Sequence, residues 1–182
     1  MTGPTHAELE AARGRRVRDV LGPDLQVLFC GINPGLYSAA VGHHFARPGN
    51  RFWKALAAGG FTGRIWSPQE DGQLPTIGLG ITNLVARATA TADELDAEEL
   101  RAGAARLRRT VARLRPAAVA VLGIGAYRTG FARPGAVVGR QDAELAGASL
   151  WVLPNPSGLN AHAQLPALSA AFAELRRAVP MR

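Results

Sequence analysis

Two Asn-Pro segments hold most of the side chains whose chemistry stands out in this sequence. They are Gly31-Ile32-Asn33-Pro34-Gly35 and Pro154-Asn155-Pro156-Ser157-Gly158-Leu159-Asn160. An amide cannot act as a general base, but it can orient a water molecule and place a dipole beside a developing charge. Hydroxyl and backbone N–H groups in loops bind phosphate oxygens. Both segments therefore carry polar groups that could contribute to a ligand site.

Several other kinds of site are excluded by what is missing. The sequence has no GxxxxGK[ST] phosphate loop and no GxSxG nucleophile elbow. Gly123-Ile124-Gly125 opens like a dinucleotide fingerprint without its third glycine, which leaves nucleotide or flavin binding as a weak alternative. The four histidines lack metal-ligand spacing, and the one cysteine, Cys30, cannot form an internal disulfide or a zinc cluster. We predict no metal and no cofactor.

Short apolar runs alternate with longer helical patterns, which predicts an α/β fold with a mainly parallel sheet. Strands are expected at about 25–30, 77–82, 117–122 and 149–153, and helices over 6–20, after Asn50, over 94–114, around 125–131 and near 166–178. Thr91 and Glu94 have capping-box spacing, and a hairpin is expected before the last strand. Both Asn-Pro segments leave strand C-termini, the edge where open α/β sheets bind ligands.

Composition bounds the class of protein. A chain of 182 residues with 47% hydrophobic residues can form one domain with a full core. The net charge of +7 rests on arginine, since Lys54 is the only lysine, and it suits a polyanionic partner unless it reflects genomic base composition. No apolar run reaches the roughly 18 residues of a membrane span, and no secretory signal is recognised. We expect a cytoplasmic protein, associated with the nucleoid if it is bacterial.

Residues 31–62 and 153–162 resemble the mismatch-specific uracil/thymine-DNA glycosylases of the uracil-DNA glycosylase superfamily. The first segment matches that family's GINPG motif and GNxFW helix start, and the second matches NPSGL, the loop that enters the duplex. The resemblance covers roughly residues 25–178. It implies a three-layer α/β/α sandwich with a central, mainly parallel four-stranded sheet. Residues 1–22 would be an N-terminal arm or helix that could be mobile, and residues 23–182 a single glycosylase domain.

The function implied by the resemblance is that of a monofunctional DNA glycosylase. Such an enzyme hydrolyses the N-glycosidic bond of uracil mispaired with guanine, with thymine and ethenocytosine as further candidates, and leaves an abasic site for base excision repair. The nucleotide is first extruded, which costs less at a mispair. The implied partner is double-stranded DNA with a mispaired or damaged pyrimidine, bound by a monomer without a cofactor. The alternative is a damaged-DNA-binding module of the same fold with little or no catalysis, because an asparagine replaces a catalytic carboxylate.

The resemblance also implies roles for the first segment. Asn33 occupies the catalytic position, although Asn-Pro could also simply begin a turn. Phe45 resembles the platform on which the flipped base stacks, and the backbone N–H groups of Ile32 and Phe45 resemble those that hold the pyrimidine carbonyls. Gly35 leaves the pocket open where uracil-specific relatives place an aromatic ring.

Two polar residues after the second predicted strand are harder to assign. Asn83 stands where bacterial mismatch enzymes tend to have lysine, and its amide could accept from N3–H of uracil and donate to O4. It could also simply cap a strand end. Asp93 could help as a base or stabilise the oxocarbenium ion, or it could complement the N-terminus of the long helix.

The second segment is expected to bind and enter DNA. Leu159 has the character of an apolar wedge, or of a loop leucine packed in the core, and Asn160 could face the unpaired guanine. Asn155, Ser157 and Gly158 belong to the same loop, in which Ser157 could bond a phosphate. Ala161 and His162 stand where relatives often carry a basic residue.

The basic residues around the first segment have two interpretations. Arg47, Arg51 and Lys54 could contact phosphates or be solvated charges. Trp53 is expected in the core. Because Lys54 lies away from both loops, a lysine Schiff base and strand nicking are not expected.

Overall fold

Five strands form one sheet, and the computed structural model describes residues 3–158 and 164–180. The strands are β1 (Val27–Gly31), β2 (Leu79–Asn83), β3 (Ala118–Leu122), β4 (Gly139–Leu145) and β5 (Ala148–Leu153). Their order is β2-β1-β3-β5-β4, and only β4 is antiparallel to its neighbour. Every residue of β1, β2 and β3 is buried, which explains their continuous apolar sequences.

The α/β class and the mainly parallel sheet predicted from the sequence are confirmed, but the sheet has five strands rather than four. The extra strand, β4, is the first arm of the predicted hairpin. Its sequence GRQDAEL is mostly polar and exposed. An edge strand is paired on one side only and needs no apolar run, so it leaves a weak signal in the sequence.

Helices cover both faces of the sheet. They are α1 (His6–Ala11), α2 (Leu36–Val41), α3 (Phe52–Ala58), α4 (Ala97–Leu114), α5 (Ile124–Gly130) and α6 (Leu165–Ala178), with 3-10 helices at Pro68–Ile77 and Ala92–Glu94. One core lies between the sheet and α3 and α6, and a second lies between the sheet and α4 and α5. A small third cluster joins α1 and α2. Trp53 is in the first core, as predicted. None of the described helices has the length and apolarity needed to cross a membrane.

Two helix boundaries differ from the sequence-based expectation. The first helix ends at Ala11, and the chain then extends so that Val20 pairs with Ile81 of β2. The Thr91–Glu94 capping box exists but begins the short 3-10 helix, whereas α4 begins at Ala97 with its own box, Asp96–Glu99. The two successive capping boxes lie so close together that the sequence pattern predicts a single helix start.

Candidate active site

A cleft of about 740 Å³ opens at the C-terminal edge of the sheet. The loop after β1 contributes Ile32, Asn33 and Gly35, and the loop after β5 contributes Asn155 and Ser157. The remaining predicted site residues that line it are Phe45, Asn83 and Asp93. The two Asn-Pro loops, far apart in the chain, therefore share one cleft.

Strand register and one glycine bring these loops together. Gly31 pairs with Asn83, so the ends of β1 and β2 lie side by side. A Cβ on Gly123, at the end of β3, would lie 2.9 Å from Ile32 Cδ1 and 3.9 Å from Asn155 Cβ. The loops after β1 and β5 thus meet over the α-carbon of Gly123, so this glycine serves their packing.

Hydrogen bonds fix which way the Asn33 amide faces. Its nitrogen donates to the Arg87 carbonyl (3.0 Å) and to Thr89 Oγ1 (2.7 Å), and the Thr89 hydroxyl donates to the Thr91 carbonyl (2.7 Å). A carbonyl can only accept, so the NH2 end of the amide must face Arg87. This orientation leaves Asn33 Oδ1 as the acceptor for a water molecule in the cleft.

An ion pair supports the segment that holds Asn33. Arg87 binds both carboxylate oxygens of Glu99 and donates to the Glu94 carbonyl (2.9 Å). The hydrogen bond from Arg87 lowers the pKa of Glu99 to about 2, helped by the backbone N–H of Asp96. The first turn of α4 thereby anchors the backbone that accepts the hydrogen bond from the Asn33 amide.

The aromatic ring of Phe45 is held in place by a loop with a strained backbone. Its backbone is left-handed (φ 53°), and its ring stacks on Phe52 at 4.1 Å between centroids. Flanking bonds hold the loop: Asp71 accepts from the His44 N–H (3.0 Å), and Ser38 Oγ accepts from the Ala46 N–H (3.1 Å). The arrangement suits a platform for a planar ligand, with strain stored at a binding site.

Two backbone donors are free for a ligand beside this ring. Among the described residues, the N–H groups of Ile32 and Phe45 have no hydrogen-bond acceptor. Both residues line the cleft. Unpaired N–H groups in such a site stabilise negative charge on a ligand oxygen.

Asn83 forms part of the cleft floor and is 8% exposed. Its amide nitrogen lies 3.5 Å from Nδ1 of His44, and its Oδ1 lies 2.5 Å from the place that a Cβ on Gly31 would take. Arg106 holds the backbone here by donating to the Asn83 carbonyl (3.2 Å). The side chain of Asn83 is thus enclosed by neighbours on two sides.

Gly35 and Asp93 lie at the open side of the cleft. No atom lies within 4 Å of the place where a Gly35 Cβ would be, so the cleft is wide at this point. Asp93 is exposed within the 3-10 helix Ala92–Glu94. The long helix α4 begins later, at Ala97, and its first turn carries Glu98 and Glu99. That Asp93 complements the N-terminus of this helix stays a prediction.

The loop after β5 is anchored against the start of α3. Asn155 Oδ1 accepts from the Ser157 N–H (3.0 Å), and Arg51 donates from its backbone to the Pro156 carbonyl (2.9 Å) and from its guanidinium to the Ser157 carbonyl (3.0 Å). A Cβ on Gly158 would lie 2.7 Å from the Gly49 carbonyl oxygen. The predicted wedge Leu159 and its neighbour Asn160 lie outside the described residues.

Sequence reasoning missed four residues that shape this site. His44, Arg87 and Thr89 each contact a predicted residue. Asp71 accepts a hydrogen bond from the backbone N–H of His44, next to Phe45. The spacing of His43 and His44 bears only on metal binding and carries no signal of the hydrogen bonds that His44 makes. Among residues 3–158 and 164–180, no cluster of three or more His, Cys, Asp or Glu side chains is arranged to hold a metal ion. The one available signal was two histidines immediately before Phe45.

A family model and a solved structure are similar to this chain. The model of the family described as "Uracil DNA glycosylase superfamily" matches residues 19–178. A solution NMR structure of a candidate uracil DNA glycosylase from Methanosarcina acetivorans is 18% identical, with a TM-score of 0.60 over 90% of this chain and 98% of that one. At that identity the structural match supports the fold alone.

Proposed function

This chain belongs to the uracil DNA glycosylase superfamily, and from that premise we propose that it hydrolyses the N-glycosidic bond of uracil opposite guanine in duplex DNA. The observation that carries the proposal is the shared cleft, in which the two Asn-Pro loops flank Phe45. The products would be free uracil and an abasic site. The protein would act as a monomer.

The cleft suits a base that has left the helix. A flipped pyrimidine would stack on the face of Phe45 opposite Phe52, and base stacking of this kind contributes ~1–3 kcal/mol. Its carbonyl oxygens would accept from the backbone N–H groups of Ile32 and Phe45. As the glycosidic bond breaks, negative charge collects on those oxygens, so the two donors stabilise the departing uracil.

Asn33 would supply the water. With its NH2 group held by Arg87 and Thr89, Oδ1 accepts a hydrogen bond from water and holds it against the sugar carbon. The same oxygen places the negative end of a dipole near the developing oxocarbenium ion. Because an amide takes no proton, Asp93 at the rim would assist as a base or as a second negative charge.

DNA would be held on the side of the loop after β5. A DNA phosphate would bind to the loop at Asn155, Ser157 and Gly158. Leu159 would fill the space left by the flipped base, and Asn160 would face the unpaired guanine. The open side at Gly35 would admit a 5-methyl group or an exocyclic ring, so thymine and ethenocytosine are proposed as further substrates.

Single-turnover cleavage of a duplex with one G·U pair, followed by alkali, tests the proposal. We expect alkali-dependent breaks at uracil, with a rate lowered about 100-fold or more by Asn33→Ala and roughly threefold to tenfold by Asp93→Asn. Gln141→Ala, which removes an amide from the edge strand β4, is the matched control.

Three results would change the assignment. Breaks without alkali would point to a lyase, although Lys54, the one lysine, is not among the described residues that line the cleft. Binding of the G·U duplex without base release would favour a damaged-DNA-binding module. An unchanged rate for Asp93→Asn would remove Asp93 from the mechanism.

A further inference from the structure

His44 is a buried histidine with a defined hydrogen-bond partner on each ring nitrogen. The residue is 3% exposed. Its Nε2 lies 3.0 Å from the Arg18 carbonyl oxygen, and its Nδ1 lies 3.5 Å from the amide nitrogen of Asn83. The mechanism above assigns the side chain of His44 no role.

The first contact sets the tautomer. The carbonyl of Arg18 can only accept, so Nε2 must carry the proton. Burial lowers the pKa of His44 below its ordinary value of 6.5, against the opposing effects of the Arg18 carbonyl and the carboxylates of Asp71 and Asp19. The neighbouring His43 lowers that pKa further. At neutral pH the imidazole is therefore uncharged, and Nδ1 carries a lone pair.

The tautomer in turn sets the amide of Asn83. A lone pair on Nδ1 attracts an N–H donor and repels a carbonyl oxygen, so the NH2 end of the amide must face His44. Asn83 Oδ1 then lies over the α-carbon of Gly31, whose Cβ position would also be 3.3 Å from the Phe45 ring. The oxygen is thus presented where the floor of the cleft meets the stacking platform.

We propose that His44 is a positioning residue that decides which end of the Asn83 amide the base pocket presents, and thereby selects bases that carry a proton on N3. The proposal rests on the glycosylase function proposed above and specifies how that site would tell uracil from cytosine. Uracil and thymine offer an N3–H to Oδ1. Cytosine presents a lone pair at N3, which this oxygen repels.

Protonation of His44 would reverse the selection. With a second proton on Nδ1, the ring would donate, and the Asn83 amide would turn its oxygen toward it. The pocket would then present NH2, which suits the N3 lone pair of a cytosine-type base and opposes uracil. Preference for uracil is therefore full above the pKa of His44 and falls as the pH drops through it.

A spectrum of the intact protein tests the geometry without any activity. Long-range proton–nitrogen correlation of the imidazoles at neutral pH should show one histidine with Nε2 protonated and Nδ1 unprotonated, absent in His44→Gln. Protonation on Nδ1 instead, or a charged ring at neutral pH, would overturn the proposal. Because the wild-type chain is measured, a folding defect of the variant cannot decide the result.

Excision rates test the selection. Duplexes with uracil or 5-fluorocytosine opposite guanine are compared in single turnover, from pH 8 down to the pH at which the imidazole spectrum shows His44 protonated. 5-Fluorocytosine is used because fluorine improves the leaving group and keeps N3 of that cytosine unprotonated. The ratio of the uracil rate to the 5-fluorocytosine rate should fall about tenfold toward low pH, the scale of one hydrogen bond lost. In His44→Gln, which can still donate to Arg18, the ratio should be independent of pH.

His43→Gln is the matched control and should keep the pH step, because His43 contacts Asp71 and does not line the cleft. A wild-type ratio that stays constant while the imidazole spectrum shows His44 gaining its second proton, or a step that persists in His44→Gln, would overturn the proposal while the glycosylase function stands. If neither base is released, the glycosylase function itself is overturned. The imidazole spectrum would still report the tautomer of His44.

Discussion

Asn33, the proposed catalytic residue, shows how the role of an amide depends on its neighbours. An amide has two chemically different ends, and only the oxygen can orient an attacking water molecule. In this protein a carbonyl and a hydroxyl hold the nitrogen end, so the oxygen is left for the cleft. The proposed activity therefore depends on Thr89, a residue that does not need to touch the substrate's sugar.

Replacing Thr89 with valine tests this dependence. Thr89→Val keeps the shape of the buried side chain but removes the acceptor for Asn33 and the donor to the Thr91 carbonyl. We expect the single-turnover rate on G·U duplexes to fall about tenfold, because one of the two hydrogen bonds that orient the Asn33 amide is lost. Affinity for the duplex should not change.

Thr62→Val is the control, because its hydroxyl donates to the Arg64 carbonyl away from the cleft-lining residues. Equal rates for Thr89→Val and the wild type would show that Asn33 is oriented by the Arg87 carbonyl alone.

At the scale of elements, helix α4 supports the segment that follows β2. Gly103 on α4 lies directly against the backbone of Leu84, so that a Cβ there would be 2.8 Å from the Leu84 carbonyl carbon. In the first turn of the same helix, Glu99 holds Arg87. Helix α4 thus contacts the segment that carries Arg87 and Thr89 at two points, through Gly103 and through Glu99.

Gly103→Ala should push α4 away from this segment. Overpacking of this kind costs about 1–3 kcal/mol of unfolding free energy, because backbone rather than a flexible side chain must move. Denaturant unfolding measures it. Gly125→Ala in α5, where no atom lies within 4 Å of the new Cβ, should be neutral or stabilise by about 0.5 kcal/mol. A Gly103→Ala protein as stable as the wild type would contradict the tight contact.

The Glu99–Arg87 pair gives stability a defined pH dependence. The pKa of Glu99 is lowered in the folded protein to about 2, from an ordinary value of 4.5. The pair therefore stabilises the fold fully above about pH 4.5, and this contribution is lost as the pH falls toward 2. Glu99→Gln should lower the free energy of unfolding most near neutral pH, and its difference from wild type should shrink below pH 4.5.

Denaturant unfolding at several pH values between 3 and 7 measures this difference. Glu98→Gln, one residue away in the same turn, is the control. A Glu99→Gln difference that stays constant over this range would show that the carboxylate charge does not contribute.

At the scale of the whole molecule, the position of each basic side chain decides whether it can contact DNA. Arg47 is exposed and lines both the main cleft and a second cavity of about 380 Å³ formed with Arg51 and Gly158. Arg113 is exposed in the last turn of α4, which leads into the start of β3 and so lies at the opposite edge of the sheet. Only the first position is expected to meet DNA phosphates.

The salt dependence of DNA binding separates these positions. Arg47→Gln should weaken binding to any duplex and reduce the slope of log affinity against log salt concentration by about 1, because one fewer counterion is released. Arg113→Gln should leave the slope unchanged. Equal effects of the two substitutions would indicate that the net charge of +7 acts without a defined binding face.

The sequence by itself determined the order of the main strands and helices and the two loops at strand ends. Those features are local: apolar runs such as β1 and β3 are buried on both faces, and Asn-Pro segments follow β1 and β5. It also identified Asn33 and Phe45 by their motif. It missed β4, whose polar edge carries little signal, and it merged two successive capped starts before α4.

Only the tertiary structure decided how the amides of Asn33 and Asn83 face. Their partners lie 54, 56 and 39 residues away in the chain, at Arg87, Thr89 and His44. The direction of an amide depends on whether its neighbour donates or accepts a hydrogen bond, and sheet register and loop packing bring those neighbours together. A one-dimensional pattern records the residue types that could do the chemistry, but the fold sets the orientation in which they would act.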